Sequence, residues 1–374
     1  MANNDSGKRI VFVGGGHAHL YSLKYADRFV REGAEVLVIG PARFHYYSGM
    51  GPGMLSRIYE PDQLQFDIPR MVQSRQGTFI QGKVASVQAD NRTLVLEGGE
   101  EISYDLVSFN VGSYVPMHLI PGAEEEAFPV KPIENLESVR ETILDKIKGG
   151  TPRILVVGGG PAGVELSGNI WRLVHDHHGR AEIILANSTD RLLPNAPEKA
   201  TRLAEQSLSE RGIQIRSHFL AESMRGGVAR SNTGQQIRYD VAVLTIGIVP
   251  PRIFADSGLE AATDGALLVN DYLQSVRHPE IFGGGDCIAI EGRPLSRVGV
   301  YAVREAPILF HNLLASLRGE PLKVFTPQER FLLIFNLGDG SGLLVRGSFV
   351  WKGRLAFTWK SYIDTKFVSK FQVP

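Results

Sequence analysis

The sequence predicts an α/β fold: two three-layer domains on parallel sheets, the second inserted in the first, and a small C-terminal α+β region. A duplication is the first reason. Residues 9–16 read RIVFVGGG and residues 153–160 read RILVVGGG. A second repeat lies further along each copy, YDLVSFNVGSYVP from Tyr104 and YDVAVLTIGIVP from Tyr239. The third reason is IFGGGD at residues 281–286, an apolar run closed by glycines and an acid, which belongs to neither copy by itself.

Taken in chain order, each copy opens with an apolar strand, a glycine-rich turn and a helix-like stretch. A second apolar strand follows, at residues 35–39 and 182–185. Strand, turn, helix, strand is the start of a Rossmann-like βαβ unit. The YD runs continue as apolar or small residues, which suits parallel strands covered on both faces. Gly112 and Gly247 then fall at the carboxyl ends of those strands, where ligands of open α/β sheets collect. Residues 116–132, with prolines and acids, read as a crossover. The run at 281–286 is most simply the last strand of the first domain. The expected division is therefore residues 1–118 with 252–325, then 119–251, then 326–374. In the last part, strands are expected at 331–337, 342–350 and 355–358, before a terminal helix.

Composition removes several functions. Lys plus Arg is 40 and Asp plus Glu is 40, so the chain lacks the basic footprint of a nucleic-acid binder. The start, through Lys8, is polar, and no run reaches the ~20 apolar residues of a spanning helix. A soluble or peripheral protein of the cytoplasm is expected, at most on the inner face of the membrane. The chain has a single cysteine, Cys287. One thiol makes no internal disulfide, no Cys-x-x-Cys redox pair and no thiolate metal cage. His175, His177 and His178 read as a solvated helix end, and no metal is expected.

The glycine turns carry the chemistry. A dinucleotide's pyrophosphate is met by free N–H groups and the positive dipole end at a helix start, and glycines let the backbone approach it. The second turn fills all three fingerprint positions, with Gly158, Gly160 and Gly163. The first has Gly14 and Gly16, but His19 stands third and is expected to point outward or toward the ligand. Neither copy ends its second strand with the usual ribose-binding acid. Gly40-Pro41 and Asn187 stand there instead. Asn187 retains a neutral hydrogen-bonding group for a ribose, and Arg191 reads better as a surface arginine than as a phosphate ligand. NADH versus NADPH stays open.

With these features together, the chain resembles the flavin-dependent pyridine nucleotide-disulfide oxidoreductase superfamily over residues 9–320. The resemblance implies FAD in the first domain and NAD(P)H in the inserted one. It implies that Gly285 and Asp286 close on FAD, with the Asp286 carboxylate taking ribityl hydroxyls, and that the backbone at Val84 touches adenine. A helix at residues 301–317 would aim its N-terminus at the flavin, offering the N–H groups of Tyr301 and Ala302. Glu165 would lie near the nicotinamide and Lys131 near the flavin, unless they are merely a helix-start acid and a solvated lysine. Asn110, Gly112 and Gly247 complete the expected contacts.

A closer resemblance is to the type II NADH dehydrogenase and sulfide:quinone reductase branch, and within it to a subgroup associated with selenophosphate synthase. The residues that carry it are Gly14-Gly15-Gly16-His17-Ala18-His19, YSGMGPG at 47–53 with Pro52, GVYAVREAP at 299–307, and residues 360–371 with Ile363-Asp364. His19 is normal in that subgroup, and no synthase domain is expected in a chain ending at Pro374.

The expected function is FAD-dependent transfer of hydride from NAD(P)H to flavin and on to a quinone or other small acceptor, without a redox disulfide. A flavoenzyme with a non-nicotinamide donor, or a flavin-bearing redox sensor, is the alternative. Residues 359–371 interleave Trp359, Tyr362, Ile363, Phe367 and Phe371 with Lys360, Lys366 and Lys370. Such a helix either lies in a membrane interface, docks on the first domain, or meets a partner in a homodimer.

Overall fold

A computed structural model describes residues 7–373, so the polar start through Ser6 lies outside the described residues. The first parallel sheet has five strands, in the order Ile281–Gly283, Leu106–Phe109, Arg9–Val13, Glu35–Gly40 and Thr78–Gln81. The second repeats it: Phe128–Pro129, Val241–Leu244, Arg153–Val157, Glu182–Ala186 and Gln214–Arg216. In both, the strand ahead of the glycine turn is central, with the YD strand on one side and the second apolar strand on the other. Strand order reverses at that point, which opens a crevice at the carboxyl ends. Both central strands are buried from their second residue onward, which is why they read as unbroken apolar runs.

The repeated acids fasten the opposite ends of these strands. The Asp105 carboxylate accepts the Arg9 N–H at 2.6 Å, and Asp240 accepts the Arg153 N–H at 2.7 Å. Arg9 pairs with Glu35 at 2.6 Å, and Arg153 with Glu182 at 3.1 Å. Each domain also carries a three-stranded antiparallel meander, beginning at Val84–Gln88 in the first and at Ala221–Arg225 in the second.

The C-terminal region corrects two expectations. Residues 342–350 are not one strand: Gly342–Arg346 and Phe349–Gly353 form a hairpin, turned by Gly347 at a φ of 57°. Residues 355–358 are helical, being the first turn of Arg354–Phe371. The short apolar run Leu355-Ala356-Phe357 reads as a strand by itself, but Ala356, Lys360, Asp364, Val368 and Phe371 are buried at helical spacing, and that longer stripe decides the structure. The helix start lies against Gly342, where a Cβ would come within 2.6 Å of the Phe357 nitrogen.

Candidate active site

The first turn leaves its strand at Gly14, whose φ is 90°. A Cβ there would run into the Asn110 carbonyl, so glycine is required twice over. Asn110 is a cross-brace. Its Oδ1 accepts the Ala18 N–H at 3.1 Å, and its amide donates to the Gly284 carbonyl at 2.6 Å. The turn is thereby tied to the segment that carries Asp286.

His19 corrects the expectation for the third fingerprint position. It points neither outward nor toward a ligand, but is fully buried beneath the turn. Its Nδ1–H donates to the Gly14 carbonyl at 2.6 Å, and its Nε2 accepts the Ser108 hydroxyl at 2.8 Å. Burial lowers its pKa to about 4, so the ring is neutral. The room for it comes from the helix, which begins only at Leu20. In the second copy the helix begins at Pro161, and a Cβ on Gly163 would run into the Gly158 carbonyl.

Around Asp286 the groups are close-set. Its Oδ2 accepts from the Ser113 hydroxyl at 2.7 Å and from Lys131 Nζ at 2.8 Å. Burial pushes the Asp286 carboxyl up, but Lys131 and Ser113 outweigh it and hold the group below its ordinary value. The N–H of Gly285 is held by Glu305 Oε2 at 2.5 Å. Glu305 is buried, and burial raises its carboxyl to about 7. Arg297 binds the Asp286 carbonyl at 2.8 Å, which fixes the chain just ahead of the long helix Gly299–Arg318.

That helix starts two residues earlier than expected. Tyr301 already gives its N–H to the Val298 carbonyl at 3.0 Å, and its hydroxyl donates to the Gln328 carbonyl at 3.2 Å. Its ring packs edge-on against Phe331, a residue of the cavity wall, and Tyr301 itself does not line the cavity. The first-turn N–H groups belong to Gly299 and Val300, which stand on the crevice wall, with Ala302 one turn inward.

Glu165 lies in the second turn of the helix Pro161–Asp176, half-buried on the cavity wall. Its Oε1 accepts the Asn336 N–H at 2.7 Å. Burial raises its carboxyl to about 7, and the Lys360 charge opposes that rise. Lys360 is no surface cation: it donates to the Gly49 carbonyl and to Asp364 Oδ2, both at 2.7 Å. The Asp364 and Glu165 carboxylates keep it protonated despite burial. Tyr47 donates to the other Asp364 oxygen at 3.1 Å. This cluster draws on four separate parts of the chain, at residues 47–49, 165, 336 and 360–364. The sequence offered one signal for it, the four-residue spacing of Lys360 and Asp364, and that helix was read for its aromatic residues instead. His17 meets His45 at 3.3 Å and stacks on Phe367; burial holds both imidazoles neutral.

Both turns, Lys131, Asp286, Glu165, Lys360, Asp364 and the His17–His45 pair face one cavity of about 2140 Å³. Of the residues predicted from sequence, Gly14, Gly16, His17, Pro52, Val84, Asn110, Gly112, Lys131, Gly158, Gly160, Glu165, Asn187, Gly247, Gly285, Asp286 and Ala302 line it. Ala18, His19, Gly163 and Tyr301 do not; they sit behind the wall or turn away from it. Among the lining residues none carries sulfur. Cys287 is buried, its thiol directed at the Gly284 and Phe109 carbonyls, and burial pushes it up to about 12.

The residues fit FAD in the first half of this cavity. Side chains at Gly14 and Gly16 would collide with Asn110, so the turn leaves backbone where a pyrophosphate lies, and Asp286 presents a carboxylate at a strand's end. The terminal helix docks its inner face on this domain, with Phe367 and Phe371 beside Phe66. Its outer face leaves Leu355, Trp359 and Tyr362 exposed, and Phe349 and Trp351 of the hairpin are exposed as well. No helix among the described residues is long and apolar enough to cross a membrane.

Comparison with known proteins agrees with this geometry. The sequence pattern of the family "Pyridine nucleotide-disulphide oxidoreductase" matches residues 8–306. Ferroptosis suppressor protein 1 of Taeniopygia guttata is 31% identical over 307 residues, which covers 78% of this chain and 77% of that one. A probable NADH dehydrogenase of Dictyostelium discoideum is 25% identical over 400 residues, covering 95% and 84%. The fold of NDH2 from Plasmodium falciparum, solved with NADH, superposes with a TM-score of 0.83 at 14% identity, covering 97% of each chain.

Proposed function

The chain belongs to the pyridine nucleotide-disulphide oxidoreductase family, and from that premise we propose that it carries hydride from NAD(P)H to FAD and on to a quinone, without a redox disulfide. One observation carries the reading: both glycine turns open on a single cavity whose wall holds no sulfur. With no sulfur on that wall, a flavin held at the first turn would be the group that passes electrons from a nicotinamide at the second turn to the acceptor. Bound FAD supplies the hydride-accepting ring.

The chain supplies position and protons. The turns at Gly14–Gly16 and Gly158–Gly160 would hold the two pyrophosphates, and both line the one cavity. Lys131 Nζ lies 2.8 Å from the Asp286 carboxylate on the wall of the first site. Reducing a quinone with one hydride also consumes one proton. Glu165, on the wall and raised to about 7, is placed to hold one at neutral pH. The motifs at residues 14–19, 47–53 and 299–307 support membership in the subgroup associated with selenophosphate synthase.

The exposed face made by Phe349, Trp351, Leu355, Trp359 and Tyr362 supports contact with a membrane surface, where a quinone dissolves. Replacing Trp351 and Trp359 by Glu should reduce co-sedimentation with liposomes; equal sedimentation would remove this part. For the main reading, purified protein should be yellow. Anaerobic NADH or NADPH should bleach it, and a water-soluble quinone should restore the colour. A colourless preparation that does not take up FAD would refute the whole reading, and bleaching without recovery would refute the acceptor.

A further inference from the structure

We propose that the ribose site of the second domain does not discriminate by charge, so that the chain accepts both NADH and NADPH. The inference rests on the dehydrogenase reading above and adds the class of donor. In dinucleotide folds the residue closing the second strand meets the ribose. An acid there repels a 2′-phosphate, and a nearby guanidinium attracts it.

In this chain the closing residue is Asn187, and its side chain is already committed. It is buried, and its amide donates to the Thr189 carbonyl and hydroxyl, both at 3.1 Å, and to the Arg191 carbonyl at 2.8 Å. Its Oδ1 lies under Gly159, where a Cβ would strike it, and takes the Thr189 hydroxyl at 3.3 Å. Asn187 is thus the internal frame of the loop, with no hydrogen left to give a ribose.

The next residue, Ser188, is exposed on the cavity wall and makes no hydrogen bond to another described residue. Its hydroxyl serves a 2′-OH and a 2′-phosphate alike. Arg191, four residues beyond Asn187, is turned onto the Pro194 carbonyl at 2.5 Å and does not line the cavity. Arg216, at the end of the neighbouring strand, is bound to Gln214. One carboxylate stands on this part of the wall, Glu222, and it is exposed, so water and salt screen its repulsion of a phosphate. A mild preference for NADH is its expected effect.

The test uses the flavin-loaded protein. Dissociation constants for NAD⁺ and NADP⁺ are read by calorimetry, and flavin bleaching by NADH and NADPH is timed under anaerobic conditions. The two affinities should lie within about twentyfold of each other; a wider gap in either direction overturns the proposal. Ser188→Asp should widen the gap against NADP⁺ by a further fiftyfold or so, through like-charge contact, and Ser188→Arg should reverse the order. Equal effects of these variants on both dinucleotides would show that Ser188 does not face the 2′ position, and failure of the unaltered protein to bind either dinucleotide would overturn the proposal outright. If both dinucleotides bind with similar affinity but neither bleaches the flavin, the donor reading fails while the ribose assignment stands.

Discussion

The two glycine turns are copies that solve one packing problem in opposite ways. In the second, Gly163 lets the helix begin at once and lie directly on the Gly158 carbonyl. In the first, the helix waits until Leu20, and His19 fills the gap it leaves. The partner strands differ to match. Ser108 receives the histidine in the first sheet, whereas the paired position in the second sheet is Val243. Below the turns, Asn110 braces the first copy with its side chain, while the Thr245 hydroxyl only caps the Val157 and Gly158 carbonyls. The fingerprint is therefore a statement about volume under the turn. Glycine leaves it for the helix, and a buried neutral imidazole occupies it when a strand hydroxyl is there to meet it.

Exchanging the two third positions breaks this comparison most severely. Gly163→His puts a Cβ into the Gly158 carbonyl and has no hydroxyl to receive the ring. It should cost the second domain roughly 4 kcal/mol or more and abolish nicotinamide binding, while flavin content survives. Chemical denaturation followed by tryptophan fluorescence, with Trp171 in that helix as reporter, measures it. Near-normal stability would mean the second turn tolerates the first turn's solution.

The converse change is smaller. His19→Ala removes a fully buried ring and strands both the Ser108 hydroxyl and the Gly14 carbonyl. A loss of about 3 kcal/mol is expected, read as earlier flavin release in urea. Combined with Ser108→Ala the two costs should not add, with a coupling near 1 kcal/mol. Strict additivity would mean that the His19–Ser108 contact contributes nothing.

This contrast also marks the limit of what the sequence disclosed. The duplicated strands, the glycine turns and the late IFGGGD strand were legible because they are local and repeated, and the sheets follow from them. The direction of His19 was not legible, since it depends on Ser108, a residue distant in sequence that reads as a minor break in an apolar strand. Glu305 stood inside a quoted motif without a role, because its partner is the Gly285 N–H. Lys360 and Asp364 were hidden by their own surroundings: a lysine among aromatics reads as a surface helix until the helix is known to turn that side inward. Contacts within a few residues were readable, and those closed by tertiary packing were not.

Acid sharpens the comparison further. His19 is held near pKa 4 when folded, against 6.5 for an ordinary histidine. The unfolded chain then binds the extra proton first, so the stabilising effect is complete above pH 6.5 and is lost as pH falls toward 4. At pH 5 the loss from this residue alone should be about 2 kcal/mol. The second turn has a glycine in its place and no such term. Flavin release should therefore steepen below pH 6 in the wild type and become shallower in His19→Gln, the remaining slope belonging to His17 and His45. An unchanged acid slope in that variant would show that the histidine is not what titrates.

The smallest effect belongs to Glu165, two residues past Gly163, whose counterpart in the first copy is Tyr21. Only the second copy thus places an acid on the cavity wall at this point. Burial raises it to about 7 from an ordinary 4.5, so folding pays increasingly to ionise it above pH 4.5, and the neutral form is retained up to about 7. Lys360 limits the rise. Glu165→Gln keeps the shape and removes the exchangeable proton. Reoxidation of reduced protein by a quinone should slow about tenfold, and its pH dependence near 7 should vanish. Flavin reduction by NADH should change less, because that half-reaction needs no proton from the wall. If both half-reactions slowed equally and kept their pH dependence, the acid would be acting on the position of the nicotinamide, and the two turns would differ in packing but not in proton supply.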